Sequence, residues 1–389
     1  MHLELNSSSS LDSFFTTFSP SCKPSVPNWI SQLHSLTQQD EPHAAFLDKS
    51  VLFIGDSVDR FLMKDICTML GGNYTIHRID SFLAEASDAH DAKPNGGTPR
   101  SCFIGGPSGR QALTMASFFF YGFDERDIWT DKTSTWSSPA RYSERWTVFE
   151  QAYSTLYGPP ESIPPPSPPP DQDPESPPPD EQQPLRSPLF APKTHPDLVI
   201  VNMGLWELAR FDRIKEQSQN QITKLDESPP DPITLAPEFV NEYINLTIDF
   251  LARVRELLGP KPVLRWRQMH TPTISSGPYF KDPSGKKKKS RARFSPVKVR
   301  VLNEAAKYAC QVAGERAKAA KGRWWGKRGG QERKGMLDDG RIGTYPVGDL
   351  VAPWPTRKWL RDDIHPTDRT GAVVWGSGIF EYLARVPRR

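Results

Sequence analysis

The chain is poor in cysteine, in long apolar runs and in net charge. Its four cysteines, Cys22, Cys67, Cys102 and Cys310, form no Cys-x-x-Cys pair, which argues against a structural zinc site or a dithiol redox centre. An even count still permits two disulfides in an oxidising compartment. Nowhere do about eighteen apolar residues run uninterrupted, so no membrane span is expected. The opening MHLELNSSSSLDSFFTTF lacks the basic start and apolar stretch of a signal peptide. The formal net charge of +3, from 49 basic against 46 acidic residues, singles out no polyanionic partner. There is no Gly-x-Gly-x-x-Gly after a strand and no Gly-x-x-x-x-Gly-Lys-Ser/Thr loop, so no nucleotide cofactor is indicated. Hydrophobic residues make up only 37% of 389, so part of the chain is expected to lie outside a core.

What the chain has in excess is proline. The 39 prolines, about twice the usual share, concentrate in a segment containing PPPSPPPDQDPESPPPD. Proline removes backbone donors and fixes φ, so residues 158–194 read as an extended acidic insertion. A second insertion, 281–340, carries the basic runs GKKKKSRARF and KGRWWGKRGGQERKG around a helical stretch. With no nucleic-acid-binding motif beside them, these lysines read as solvated loop, and no nucleic-acid partner is expected. Residues 1–45 read as an N-terminal extension and 46–389 as one domain interrupted by the two insertions. Asn6, Asn73 and Asn245 each open an Asn-x-Ser/Thr sequon, which tilts the expected compartment toward the secretory pathway, Golgi or secreted, over the cytoplasm.

Between the insertions, strand-like and helix-like pieces alternate, the pattern of an α/β protein with a mainly parallel sheet. Strands are expected at Val51 to Ile54, Phe118 to Tyr121, Leu198 to Asn202 and Pro262 to Trp266. Helices are expected at Val58 to Leu70, with Gly71 and Gly72 as its stop, at Pro237 to Leu258, at Val297 to Ala319 and at Gly371 to Arg385.

The stretch VLFIGDSVDRFL, Val51 to Leu62, reads as strand, tight turn and helix, with Ser57 at the turn. Open parallel sheets bind ligands at that edge, and first-turn amides face a developing negative charge. Serine is also a preferred helix cap, so Ser57 is expected both to cap the helix and to act as nucleophile. A hydroxyl needs a base, and the base an orienting acceptor. RDDIHPTDRTG places Asp362 three residues before His365, so one short loop can present carboxylate and imidazole together. Asp363 is the alternative carboxylate.

Gly55-Asp56-Ser57 and Asp362-x-x-His365-Pro366 resemble the first and last sequence blocks of the SGNH (GDSL-like) hydrolase superfamily. The closest resemblance within it is to the PC-esterase group, whose GDSxxRxxxKD block is matched by Gly55, Asp56, Ser57, Arg60, Lys64 and Asp65. A middle block like PDLVIxNxxLWDLxR is matched by PDLVIVNMGLWELAR, residues 196 to 210. The resemblance implies a three-layer α/β/α sandwich with Ser57 as nucleophile, His365 as general base and Asp362 as its partner. It also implies Asn202 as a donor to the oxyanion, with Gly105 as the accompanying glycine. Arg60 and Trp206 are further substrate-binding candidates, Trp206 as an aromatic surface for sugar or, more simply, as a core anchor. The triad needs neither metal nor cofactor. Implied activities are an esterase or deacetylase acting on an O-acetylated glycan or similar ester, and a polysaccharide O-acetyltransferase using the same triad. A reading from another class is a non-catalytic interaction protein that keeps the fold and docks partners through its insertions.

Overall fold

The computed structural model describes residues 46, 48–77, 99–105, 111–126, 128, 139, 141–158, 189–190, 193–221, 234–272, 294–325, 341–348, 359–362 and 364–385. The N-terminal extension, nearly all of the proline-rich insertion, residues 285–293 of the first basic run, residues 326–335 of the second, Cys22 and Asp363 lie outside them.

Seven strands form one sheet: β1 (Lys49–Gly55), β2 (Asn73–Ile76), β3 (Arg100–Gly105), β4 (Gln111–Phe119), β5 (Leu198–Asn202), β6 (Val263–Arg267) and β7 (Ile342–Tyr345). Their order is β2-β3-β4-β1-β5-β6-β7. The run β4-β1-β5-β6-β7 is parallel, and β2 and β3 complete one edge in antiparallel pairing. Strands buried on both faces read as continuous apolar runs, and β1 and β5, with VLFI and LVIV, are buried at every position.

The α-helices are α1 (Ser57–Met69), α2 (Tyr142–Tyr157), α3 (Gly204–Gln221), α4 (Pro237–Leu258), α5 (Pro296–Trp325) and α6 (Gly376–Arg385), the last preceded by a π-helical segment at Arg369–Trp375. Helix α1 packs on β1 to β4 and on the π-helical segment, whereas α5 packs on α3, α4, β6 and β7. Phe250 of α4 meets Tyr142 and Trp146 of α2 at 6.2 and 5.7 Å between ring centroids, and Phe149 of α2 meets Phe118 and Phe120 at the end of β4. The architecture is therefore α/β with a mixed, mostly parallel sheet, a layout compatible with helices on both faces.

The expected β1, α1, β6 and α5 recur with ends shifted by one to six residues, and α4 and β5 have the expected bounds, but the strand expected at Phe118 to Tyr121 is corrected to Gln111–Phe119, which begins seven residues earlier and shares only Phe118 and Phe119 with the expectation. The expected C-terminal helix divides into the π-helical segment and α6. Two disulfides were permitted by the cysteine count. Among the described residues one forms, Cys67–Cys102, tying α1 to β3, while Cys310 is a buried free thiol in α5. Asp197 anchors the start of β5: its Oδ2 accepts the Ser50 amide at 2.8 Å and faces the Lys193 ammonium at 3.0 Å.

Candidate active site

Strand β1 ends at Gly55, where a Cβ would overlap the Asp59 carboxylate and press on the Asn202 carbonyl. Only glycine lets that carboxylate lie against the strand end. The next residue, Asp56, has extended backbone geometry, and its Oδ1 accepts the Val58 amide at 2.8 Å. Asp56 is thus the N-cap and Ser57 the first helical residue, which corrects the expectation that Ser57 caps α1. Either residue type suits the cap, but the aspartate takes it, and the serine hydroxyl is left for other bonding. The Ser57 amide, a first-turn donor of the helix, has no acceptor among the described residues.

His365 comes from the loop between β7 and α6. Leu360 and Pro366 form an antiparallel bridge, the Arg361 amide donates to the His365 carbonyl at 2.8 Å, and the Thr367 amide donates to the Trp359 carbonyl at 2.8 Å. Inside this turn, Asp362 Oδ1 accepts the amides of Ile364 and His365, each at 2.7 Å. Two further ties fix the loop to the body. Arg361 donates from Nη2 to Asp65 of α1, and Nε2 of His270, just beyond β6, lies 2.6 Å from the Ile364 carbonyl.

These constraints bring the three predicted residues together. Ser57 Oγ lies 2.7 Å from His365 Nε2 across 308 residues of sequence, and His365 Nδ1 lies 2.7 Å from Asp362 Oδ2. A carboxylate only accepts, so Nδ1 carries the proton and Nε2 presents its lone pair to the hydroxyl, the tautomer a general base requires. Partial burial pushes the Asp362 carboxyl up, but hydrogen bonds from the His365 ring, the His365 amide and the Ile364 amide outweigh it and hold it well below the usual carboxylate range. Asp362 is therefore charged when His365 gains a proton. The side chains of His365 and Asp362 are 18% and 52% exposed, which leaves the dyad open to a bound molecule. Phe61, one turn beyond Ser57, sets its ring edge-on to His365 at 4.8 Å and lies beneath the guanidinium groups of Arg60 and Arg361.

Behind Ser57 lies a buried charge cluster. Arg267, at the end of β6, donates from Nε and Nη2 to the two oxygens of Asp59 at 2.5 and 2.9 Å, and its Nη2 stands 4.0 Å from Asp56 Oδ1. All three side chains are about 1% exposed. Two carboxylates thus face one guanidinium. Burial, and then the neighbouring Asp59, push the Asp56 carboxyl up to about 6 against the pull of Arg267, the Val58 amide and His365. Asp59 is raised as well, by burial, despite its bidentate contact with Arg267.

The remaining sequence candidates fare differently. Asn202 is fully buried at the end of β5, where its Nδ2 donates to the Arg267 carbonyl and its Oδ1 accepts the Gly204 amide at 3.1 Å. It joins two strand ends and starts α3, so one of its two N–H groups is committed within the fold. Gly105 is at the wrong end of the sheet. β3 is antiparallel, so Gly105 pairs with Gln111 at the start of β4 while Gly55 pairs with Phe119 at its end, a separation of roughly 25 Å along the strand. Gly122, just past the end of β4, lies toward the opposite end of the sheet from Gly105, at φ 90°, where a Cβ would press on Glu207. Its signal in the sequence is the break in the aromatic run FFFYGF just past β4. Trp206 is 5% exposed and packs 5.5 Å from Tyr121 and edge-on to Phe119, so it is a core anchor and offers no open face. Arg60 lies over the rings of Phe61 and Phe119 at 5.1 and 5.4 Å, beside the triad. His270, which by its place after the strand Pro262 to Trp266 could be a rim residue but more simply a structural histidine, is fully buried.

Among the described residues no group of three or more His, Cys, Asp or Glu is placed to hold a metal ion, and no helix is long and apolar enough to cross a membrane. No protein-family model and no curated protein matches the chain.

Proposed function

We propose that this chain is a serine-dependent acyl-ester enzyme of the SGNH (GDSL-like) type, close to the PC-esterase group, with an α/β/α sandwich fold. Its simplest activity is removal of an acetyl or similar small acyl group from an O-acylated glycan. The observation that carries the reading is the unbroken hydrogen-bonded series from Ser57 Oγ through the His365 ring to Asp362, built from residues at opposite ends of the chain. The edge of a parallel sheet, a helix start and a partly exposed imidazole supply the setting.

In this mechanism Ser57 Oγ attacks the ester carbonyl while His365 Nε2 takes its proton. The charged Asp362 stabilises the imidazolium that results. The negative oxygen of the tetrahedral intermediate faces the Ser57 amide, with the second N–H of Asn202 as a further donor. Collapse breaks the bond to the sugar oxygen, which leaves with the proton from His365. Water, deprotonated by the same nitrogen, then releases the acid and restores Ser57. Arg60 is positioned to meet polar groups of the substrate over the Phe61 ring. The Cys67–Cys102 disulfide supports a secretory location, since such bonds persist in oxidising compartments.

The test is release of p-nitrophenol from p-nitrophenyl acetate by the purified chain beside Ser57→Ala, His365→Ala and Asp362→Asn. The serine and histidine variants are expected to lose activity to background, and Asp362→Asn to lose about 10³- to 10⁴-fold. Turnover that appears only with a sugar acceptor identifies a transferase using the same triad. An absence of turnover, together with no labelling of Ser57 by a fluorophosphonate, refutes the catalytic reading in favour of a non-catalytic interaction protein.

A further inference from the structure

We propose that His270 is a positioning residue for the general base: a neutral donor that sets the place of His365 by holding the carbonyl of the residue before it. The inference rests on the catalytic reading of Ser57 and His365 and adds to it a residue outside the triad.

His270 Nε2 lies 2.6 Å from the Ile364 carbonyl, in a site with no solvent exposure of the histidine. A carbonyl only accepts, so Nε2 bears the hydrogen and Nδ1 does not. Burial, with the nearby Arg267, brings the imidazole down to about 3, so the ring stays neutral. Nδ1 is itself buried without a hydrogen-bond partner. For a residue that served packing alone this would be an unfavourable choice, because a buried unsatisfied nitrogen carries a desolvation cost that an aliphatic side chain would not incur. What the position gains is a single donor aimed at the catalytic loop.

The donor stands on a fixed platform. The Gln268 amide donates to the Tyr345 carbonyl of β7 at 2.9 Å. Asn303 of α5 clamps both backbone groups of Met269, accepting its amide at 2.8 Å and donating to its carbonyl at 2.9 Å. Trp375, fully buried, packs its ring 5.4 Å from that of His270. The loop has a second tie, Arg361 to Asp65, but that contact is on the solvent side and holds the residue four before His365. The His270 bond acts on the residue next to it. Losing it would let the Ile364–His365 peptide shift by tenths of an ångström to an ångström, enough to spoil the alignment of Nε2 with Ser57 Oγ while the fold persists.

The experiment compares His270→Leu and His270→Gln in the full chain, the glutamine keeping a donor near the place of Nε2. Expected for His270→Leu is a fall in kcat of about 10- to 100-fold with KM changed less than about twofold, and for His270→Gln recovery of most of that loss. A purely structural role would lower the melting temperature of both variants and leave kcat per folded molecule intact. Independently of activity, the Cε1–H resonance of His365 in histidine-labelled protein, assigned by its absence in His365→Ala, is expected to move or broaden in His270→Leu and to keep its place in His270→Gln. An unmoved resonance in the leucine variant overturns the proposal, as does a glutamine variant as slow as the leucine one. Should the parent turn over no ester, the catalytic reading fails by itself, and the resonance still decides whether His270 places His365.

Discussion

Replacing Asp56 by Asn tests the buried charge cluster, because the substitution keeps the cap and removes a charge. Asparagine caps helices as well as aspartate does, and its Oδ1 can still accept the Val58 amide. What disappears is one of two carboxylates that face Arg267 at about 1% exposure. A carboxyl that titrates ordinarily at 3.8 and at about 6 in the fold makes its ionisation cost the folded state about 3 kcal/mol. The sign follows from proton binding. The folded chain holds the Asp56 proton more tightly than the unfolded chain, so this group's contribution is fully present below about pH 4 and is lost as the pH rises through about 6. Asparagine does not titrate. The stability of Asp56→Asn relative to the parent should therefore climb with pH, by up to about 3 kcal/mol between about pH 4 and pH 8. Urea unfolding followed by tryptophan fluorescence, for both proteins at four or five pH values across that interval, measures the difference. A difference that stays flat with pH, or that turns against the variant at neutral pH, would refute the account of two carboxylates sharing one guanidinium.

Two further substitutions probe the frame around the site. Breaking Cys67–Cys102, whose partners are 35 residues apart, should lower stability by about 3–4 kcal/mol through the freed loop of the unfolded chain; equal urea midpoints for Cys67→Ala/Cys102→Ala and the parent would contradict this. Glu207, fully buried, accepts Arg210 Nε and Nη2 at 2.9 and 2.6 Å and the Phe123 amide at 2.6 Å. Glu207→Gln leaves Arg210 with Glu242 as its remaining carboxylate and should cost about 3–5 kcal/mol, a loss that would be disproved by a variant within about 1 kcal/mol of the parent in the same melts.

Much of the frame was legible because the signals are local. The apolar runs of β1 and β5 mark strands buried on both faces, and Pro237 with Gly259 brackets α4. Asp362 and His365 could be paired on paper because three residues in one turn fix their separation. The strands β2, β3 and β7 and the helices α2 and α3 were missed; β2, NYTI, is short and partly exposed and carries no apolar run, and the wrong placement of Gly105 followed from not knowing that β3 runs antiparallel.

The sequence by itself determined the strand–turn–helix that presents Ser57, the turn that joins Asp362 to His365, and the α/β class, because each rests on neighbours along the chain. Tertiary structure decided the rest. The strand order brings Ser57 to a histidine 308 residues away, and the end of β6 carries Arg267 to Asp59 across 208. Charges such as Asp59 and Arg267 look solvated in a sequence, and only the packing of a helix start over a strand end shows them buried and paired. The same holds for His270, whose role depends on which carbonyl the fold sets before its Nε2.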